Sequence, residues 1–66
     1  MAKRITELRV EESLSQSQLG RAIDVSQSAI SNWEKGYKEP SIESLRRLAS
    51  FFQVSVDYLI GVKDDY

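Results

Sequence analysis

Residues 16–34 read QSQLGRAIDVSQSAISNWE, and this stretch decides the fold. Apolar residues recur at helical spacing on both sides of a break at residues 24–26, which predicts two helices joined by a three-residue turn. A serine stands before each helix, Ser15 and Ser26, where its hydroxyl can accept a backbone N–H of the first turn. Gly36 follows the second helix, in the position where glycine commonly ends one.

The turn between these two helices depends on two special residues. Gly20 is predicted to lie where the helices approach closely, so a larger side chain there would push them apart. Asp24 occupies the turn itself, and aspartate adopts a left-handed backbone more readily than most residues. The apolar contacts between the two helices are predicted to come from Leu19, Ile23, Val25, Ile30 and Trp33.

The second helix of this pair has a polar face that carries one positive charge. At about 100° per residue, an arc of roughly 140° holds five side chains, and the apolar ones fall opposite. Amide and hydroxyl side chains stabilise an exposed helix poorly, whereas glutamine and asparagine can pair bidentately with adenine in the major groove of DNA. This face is therefore a candidate DNA-reading surface, and the alternative is an ordinary solvated face. Its members are Gln27, Ser28, Ser31, Asn32 and Lys35.

Three further helices are predicted around this pair. The first covers about residues 3–13, and the fourth begins after the cap Ser41. The fifth covers residues 56–60, with Ser55 as its cap and Gly61 at its end. The whole is an all-α fold, a compact bundle of five helices in one domain of residues 1–66, with a folded core at 1–61 and a polar tail at 62–66. The predicted inward positions of the first helix are Ile5, Leu8 and, as a further candidate, Val10. Those of the fourth helix are Leu45, Leu48, Ala49 and Phe52.

The composition excludes several classes of chemistry. The 66 residues contain no cysteine and no histidine, which removes disulfides, zinc–thiolate sites and the commonest general base. No serine has a base partner in a recognisable motif, so we expect no enzyme activity, no cofactor, no metal site and no small-molecule ligand. No targeting or membrane-spanning segment is evident, and we expect a cytoplasmic protein without a membrane partner. Asp64 and Asp65 are expected to form an acidic tail.

The charge distribution is more informative than the net charge of −1, which is unusual for a nucleic-acid binder. Residues 1–38 carry six Lys or Arg and five Asp or Glu, whereas residues 39–66 carry three and five. The excess of acid therefore lies away from the candidate DNA-reading face. Arg46 and Arg47 are expected to be solvated surface charges rather than a second DNA patch.

The segment 15–36, the following Pro40 and the stretch VSVDYLIG at 54–61 together resemble the Cro/phage-repressor family, also called the xenobiotic-response-element helix-turn-helix family. The resemblance covers nearly the whole chain and implies a lambda-repressor-like DNA-binding domain. One position departs from the pattern, because Asp24 stands where the family turn usually has glycine.

The resemblance also implies roles for single residues. Gln16 would touch a phosphate at the start of the second helix, and Ser26 would cap the recognition helix near the DNA backbone. Arg9 and Glu34 match a structural ion pair of the family. The side chains that would read bases are Gln27, Ser28 and Asn32. Ser31 and Lys35 would lie at the groove wall. Phosphates would lie near Tyr37, Lys38 and the amide groups after Ser41.

These observations predict a sequence-specific regulator of transcription, expected to be a repressor that binds double-stranded DNA as a homodimer on an inverted repeat. The alternative is a helical module that binds a protein, such as an antitoxin or a regulatory scaffold, although such a face should expose apolar anchors. The resemblance places the dimer contact among Val54, Val56, Leu59, Ile60 and Val62, and the competing interpretation is that most of these belong to the core.

Overall fold

The computed structural model describes residues 2–62 and contains five α-helices within that range and no strand. In chain order they are α1 (Ala2–Glu11), α2 (Gln16–Ile23), α3 (Gln27–Lys35), α4 (Ile42–Phe52) and α5 (Val56–Leu59). The predicted all-helical fold is confirmed. Of the polar tail predicted at 62–66, only Val62 lies among the described residues, so Asp64 and Asp65 lie outside them. None of the described helices is long and apolar enough to cross a membrane.

Serine hydroxyls begin four of these helices, as the sequence predicts. Ser15, Ser26, Ser41 and Ser55 each have an extended backbone and accept a hydrogen bond from the amide three residues later. At Ser15 the bond is reciprocal, because the Gln18 side chain accepts from the Ser15 amide at 2.8 Å. Each cap satisfies a donor that the helix itself cannot pair.

Residues with a left-handed backbone follow the ends of α1 to α4. Asp24 (φ 63°) ends α2 and Gly36 (φ 78°) ends α3, and both positions were predicted. Ser13 also adopts this conformation, with φ 58°, and the Leu14 amide donates to the Arg9 carbonyl, so α1 ends at Glu11 rather than near Ser13 as expected. Gln53, with φ 57°, ends α4 in the same way. Reversal of the chain at these points folds the helices back on one another.

One apolar core joins all five helices. The predicted inward positions Ile5 and Leu8 are buried, but Val10 is 60% exposed, because it lies two residues and about 200° beyond Leu8 on the helical wheel. Of the predicted inward positions on α4, Leu45 is only half-buried. The buried apolar residues are Ile5, Leu8, Leu19, Ile23, Ile30, Trp33, Leu48, Ala49 and Leu59.

The close approach of α2 to the chain entering α3 occurs at Gly20, as predicted. A Cβ atom at Gly20 would lie 2.7 Å from the carbonyl oxygen of Val25 and 3.3 Å from the carbonyl carbon of Ser26. The same segment is fastened by the Val25 amide, which donates to the Gly20 carbonyl at 2.8 Å. Only glycine leaves room for this backbone contact.

Two arginines on the outer helices make hydrogen bonds to backbone carbonyls of other helices. Arg47 on α4 donates from Nη1 to the Ile23 carbonyl at 3.1 Å, so it is more than the solvated charge that the sequence suggests. It also lies 3.6 Å from Glu43, one turn earlier. Arg4 on α1 donates to the Tyr58 carbonyl and its guanidinium lies 4.1 Å from the centre of the Tyr58 ring. Arg47 therefore ties α4 to the end of α2, and Arg4 ties α1 to α5.

The substitution Gly20→Ala should destabilise the fold by about 1–3 kcal/mol, because the added methyl group meets backbone atoms that cannot move independently of the turn. Denaturant unfolding of both chains measures this difference. Ser50→Ala, on the exposed side of α4, should change stability by less than about 0.5 kcal/mol. A Gly20→Ala chain as stable as the original would show that the helices do not touch here.

Candidate nucleic-acid interface

The outward face of α3 gathers the side chains that the sequence proposes as base readers. Gln27 and Ser28 are exposed, and Ser31 and Asn32 are half-buried. These four side chains line a single shallow depression on the surface. Lys35 is exposed one turn further along the helix. The face is thus uncharged and polar along most of its length, with a positive charge at its C-terminal end.

The inward face of α3 fixes this orientation. Ile30 is fully buried and Trp33 is only 7% exposed, so the indole belongs to the core. Side chains three or four positions apart share a helix face, so burial of these two positions turns the opposite face, with Ser28, Ser31, Asn32 and Lys35, outward. Gln27, the first residue of α3, is exposed at the border of that face. A site carried on a helix that is anchored in the core holds its geometry better than one on a loop.

The loop after α3 is held against the helix end. The amide of Tyr37 donates to the Asn32 carbonyl at 2.9 Å, and the Lys38 amide lies 3.4 Å from the same oxygen. Both side chains are exposed, and Lys35 Nζ lies 5.8 Å from the centre of the Tyr37 ring. Two lysines and a phenol therefore flank the C-terminal end of the polar face, where they could meet phosphate groups.

The N-terminal turn of α2 is tied to α3 through Glu34. Arg9 donates to the Glu34 carboxylate from Nε at 2.7 Å and from Nη2 at 3.2 Å, which confirms the expected ion pair between α1 and α3. Gln16 donates from Nε2 to Glu34 Oε1 at 3.0 Å. Gln16, proposed as a phosphate contact, is half-buried in this network, and its second amide hydrogen remains available for a phosphate oxygen.

The electrostatics of Glu34 follow from this network. Burial alone raises the pKa of its carboxyl group, since the side chain is only 7% exposed. The hydrogen bonds from Arg9, Gln16 and Thr6, together with the Arg9 charge, more than compensate, and the pKa lies below its ordinary value of 4.5. Glu34 is therefore ionised at neutral pH and serves as a structural anchor.

A contact that sequence reasoning missed joins the two helices on the outward side. Ser17 Oγ donates to Gln27 Oε1 at 3.2 Å, across the turn. The residues lie ten positions apart and share no short-range pattern, so only the relative placement of α2 and α3 reveals it. Ser26, the remaining proposed contact, is exposed, and its hydroxyl oxygen accepts from the Ala29 amide at 3.1 Å, which leaves the hydroxyl hydrogen free.

Comparison with known proteins identifies the fold and its relatives. A family model described as helix-turn-helix matches residues 5–59. The transcriptional activator BcrR of Enterococcus faecalis is 40% identical over 59 residues, which are 89% of this chain and 29% of that protein. Repressor protein C2 of Salmonella phage P22 is 40% identical over 60 residues, which are 91% of this chain and 28% of that protein. The chain therefore spans less than a third of either relative.

Two solved structures have the same fold. The P22 c2 repressor in complex with a synthetic operator matches with a TM-score of 0.84 at 40% identity, over 88% of each chain. The biofilm regulator SinR in complex with DNA matches with a TM-score of 0.82 at 32% identity, over 89% of this chain and 95% of that one. These relatives are thus named as an activator of transcription, a phage repressor and a regulator of biofilm formation, and none is named as an enzyme.

Glu34→Gln should lower stability by about 1–3 kcal/mol at pH 7, because it removes charge-assisted hydrogen bonds from a buried position. A lowered pKa in the folded state gives stability that is fully present above pH 4.5 and is lost as pH falls through the lowered value. Thermal unfolding between pH 7 and pH 3 measures both effects.

The matched control is Glu43→Gln, at the exposed ion pair with Arg47, which should change stability by less than about 1 kcal/mol. Between pH 7 and pH 3 the Glu34→Gln chain should lose less stability than the original chain, because it has no carboxylate at position 34 to be protonated. Equal acid sensitivity in the original chain and the Glu34→Gln chain would contradict the assigned role.

Proposed function

The chain belongs to the Cro/phage-repressor type of helix-turn-helix family, and from that premise we propose that it is a transcriptional regulator that binds double-stranded DNA sequence-specifically. The observation that carries the proposal is the outward face of α3, where four uncharged polar side chains line one depression. The major groove, about 12 Å wide, admits an α-helix and displays a distinct pattern of donors and acceptors for each base pair. Gln27, Ser28 and Asn32 supply side chains of the kind that reads such a pattern.

The side chains around α3 support a docking geometry in which α3 enters the major groove and α2 crosses the backbone. Phosphate contacts then come from Gln16 and Ser26 on one side of α3. Ser31 and Lys35 meet the groove wall, and Tyr37 and Lys38 meet phosphates on the other side. Ser41 caps the eleven-residue helix α4, whose first amide groups offer a further phosphate contact.

We propose that the chain acts as a homodimer on an inverted repeat. One recognition helix reads only a few base pairs, so two copies related by a twofold axis are needed for a useful site, with half-sites roughly 34 Å apart. Among the apolar residues considered for the contact, Leu59 is fully buried, and Val54 and Val56 pack against the core. Ile60 and Val62 are 37% and 69% exposed and are the remaining candidates.

A dimer bound in this way occludes the DNA it covers, and this favours repression. The alternative of a protein-binding module has less support, because no exposed residue of α3 is apolar. Protein interfaces instead centre on buried aromatic or apolar anchors. The exposed apolar side chains of the described region, such as Ile42 and Phe51, belong to other elements.

Selection of bound duplexes from a random pool tests the proposed function. We expect enrichment of an inverted repeat whose half-sites are centred about one helical turn, roughly 10 base pairs, apart. Enrichment of a single half-site without symmetry would overturn the dimer and retain the DNA-binding activity. A folded chain that enriches no sequence would overturn the proposed function.

Asn32→Ala should weaken binding to the selected site by about 1–3 kcal/mol and relax the base preference at one position, because an amide–base pair is lost. Fluorescence anisotropy with the selected duplex and with single-base variants measures both effects. Because α3 carries no arginine, the lost preference should be for adenine rather than for guanine. Equal weakening on selected and scrambled duplexes would place Asn32 on the backbone instead.

A further inference from the structure

The ammonium group of Lys35 lies over the aromatic ring of Tyr37, at the C-terminal end of the candidate DNA-reading face. Lys35 Nζ is 5.8 Å from the centre of the ring, within the range of about 6 Å at which the face of a ring attracts a cation. Both residues are exposed, and Tyr37 is 74% exposed. The contact is therefore no part of the core, and its consequence lies in where it holds the positive charge.

The backbone fixes the point from which the ring extends. Gly36, with φ 78°, reverses the chain after α3, and the Tyr37 amide donates to the Asn32 carbonyl at 2.9 Å. The backbone of Tyr37 is thus tied to the last turn of α3. Its side chain has two torsion angles to order, whereas lysine carries its charge on a flexible four-carbon stem. The ring is therefore the stiffer partner, and it restricts the ammonium group rather than the reverse.

The ring is the one partner of the Lys35 ammonium group within residues 2–62. The Lys35 side chain forms no hydrogen bond or ion pair in that range, so no carboxylate competes for its charge. Lys38 is also exposed, but it lies over no ring and has no ion pair among the same residues. The two lysines therefore flank the same end of the face, one of them restrained and the other not.

A lysine held in this way can still bind a phosphate. An ammonium group has three N–H donors and no acceptor, and the ring covers only one side of it. The remaining donors stay open to solvent, where a phosphate oxygen at the wall of the major groove can accept them. Because the stem is already restricted, less rotational freedom is lost when the phosphate is bound.

We propose that Tyr37 is a positioning residue, because its ring holds the Lys35 ammonium group where that group binds a phosphate of the groove wall. This inference rests on the proposed function, since it assumes that Lys35 meets DNA. The role belongs to the aromatic ring and is separate from any bond that the Tyr37 hydroxyl makes to a phosphate. It adds affinity without base preference, because phosphate contacts carry no sequence information directly.

The test compares Tyr37→Phe with Tyr37→Leu, because both lack the hydroxyl and only the first keeps a ring. Fluorescence anisotropy with the whole chain and a duplex that it selects from a random pool measures the affinities. Tyr37→Leu should bind about 2- to 5-fold more weakly than Tyr37→Phe, the effect of one exposed cation–π contact. This difference should vanish when both chains also carry Lys35→Met. It should persist when they carry Lys38→Met instead, which is the matched control.

Two further measurements test the two halves of the inference. In the free chain, the ring current of Tyr37 should shift the Lys35 Cε protons upfield of those of Lys38 in the NMR spectrum. That shift should survive in Tyr37→Phe and disappear in Tyr37→Leu. In the complex, Lys35→Met should reduce the slope of log affinity against log salt concentration by about one, as expected for one lost phosphate contact.

The outcomes distinguish the inference from the proposed function. If Tyr37→Leu is weaker than Tyr37→Phe to the same extent with and without Lys35, the ring acts on its own, and the inference is wrong while the proposed function stands. Equal affinities of these two chains, no ring-current shift at Lys35, or an unchanged salt slope in Lys35→Met also overturn the inference alone. A chain that selects no duplex overturns the proposed function and the inference with it.

Discussion

The close contact between α2 and the start of α3 at Gly20 is the constraint on which the rest of the structure depends. A Cβ there would lie 2.7 Å from the Val25 carbonyl oxygen, so the two backbones meet with no side chain between them. The left-handed Asp24 reverses the chain within the same three-residue turn. Together these features set how closely the two helices approach, and burial of Ile30 and Trp33 then decides which face of α3 points outward.

The two faces of α3 have different roles. Burial of Ile30 and Trp33 anchors the helix, and the Arg9–Glu34–Gln16 network fixes it to α1 and to the first turn of α2. A polar face then projects from a rigid support, which limits the conformational entropy that binding would cost. Different residues of the same nine-residue helix therefore stabilise the fold and face the proposed DNA site.

The sequence predicted those features that depend on local chemistry. Serine caps, the glycine at the close approach, the left-handed aspartate and the inward tryptophan each have a signal within a few residues, and the structure confirms them. The end of α1 was placed too late, because Ser13 carries no mark of the left-handed conformation that it adopts.

Contacts between distant elements were not predictable in this way. The bonds from Arg47 to the Ile23 carbonyl and from Ser17 to Gln27 span 24 and ten positions. Their partners are common surface residues, and their meeting depends on how whole helices pack. The ion pair of Arg9 with Glu34 was anticipated only through a family resemblance.

Heteronuclear NMR of the side-chain amide groups, titrated with a selected duplex, tests the central claim most directly. The account predicts intermolecular contacts from the amides of Gln27 and Asn32 to major-groove base protons, while Gln53 on the far end of α4 and Gln18 in its capping box show none. Base contacts from any other face, with the Gln27 and Asn32 amides unperturbed, would contradict the account.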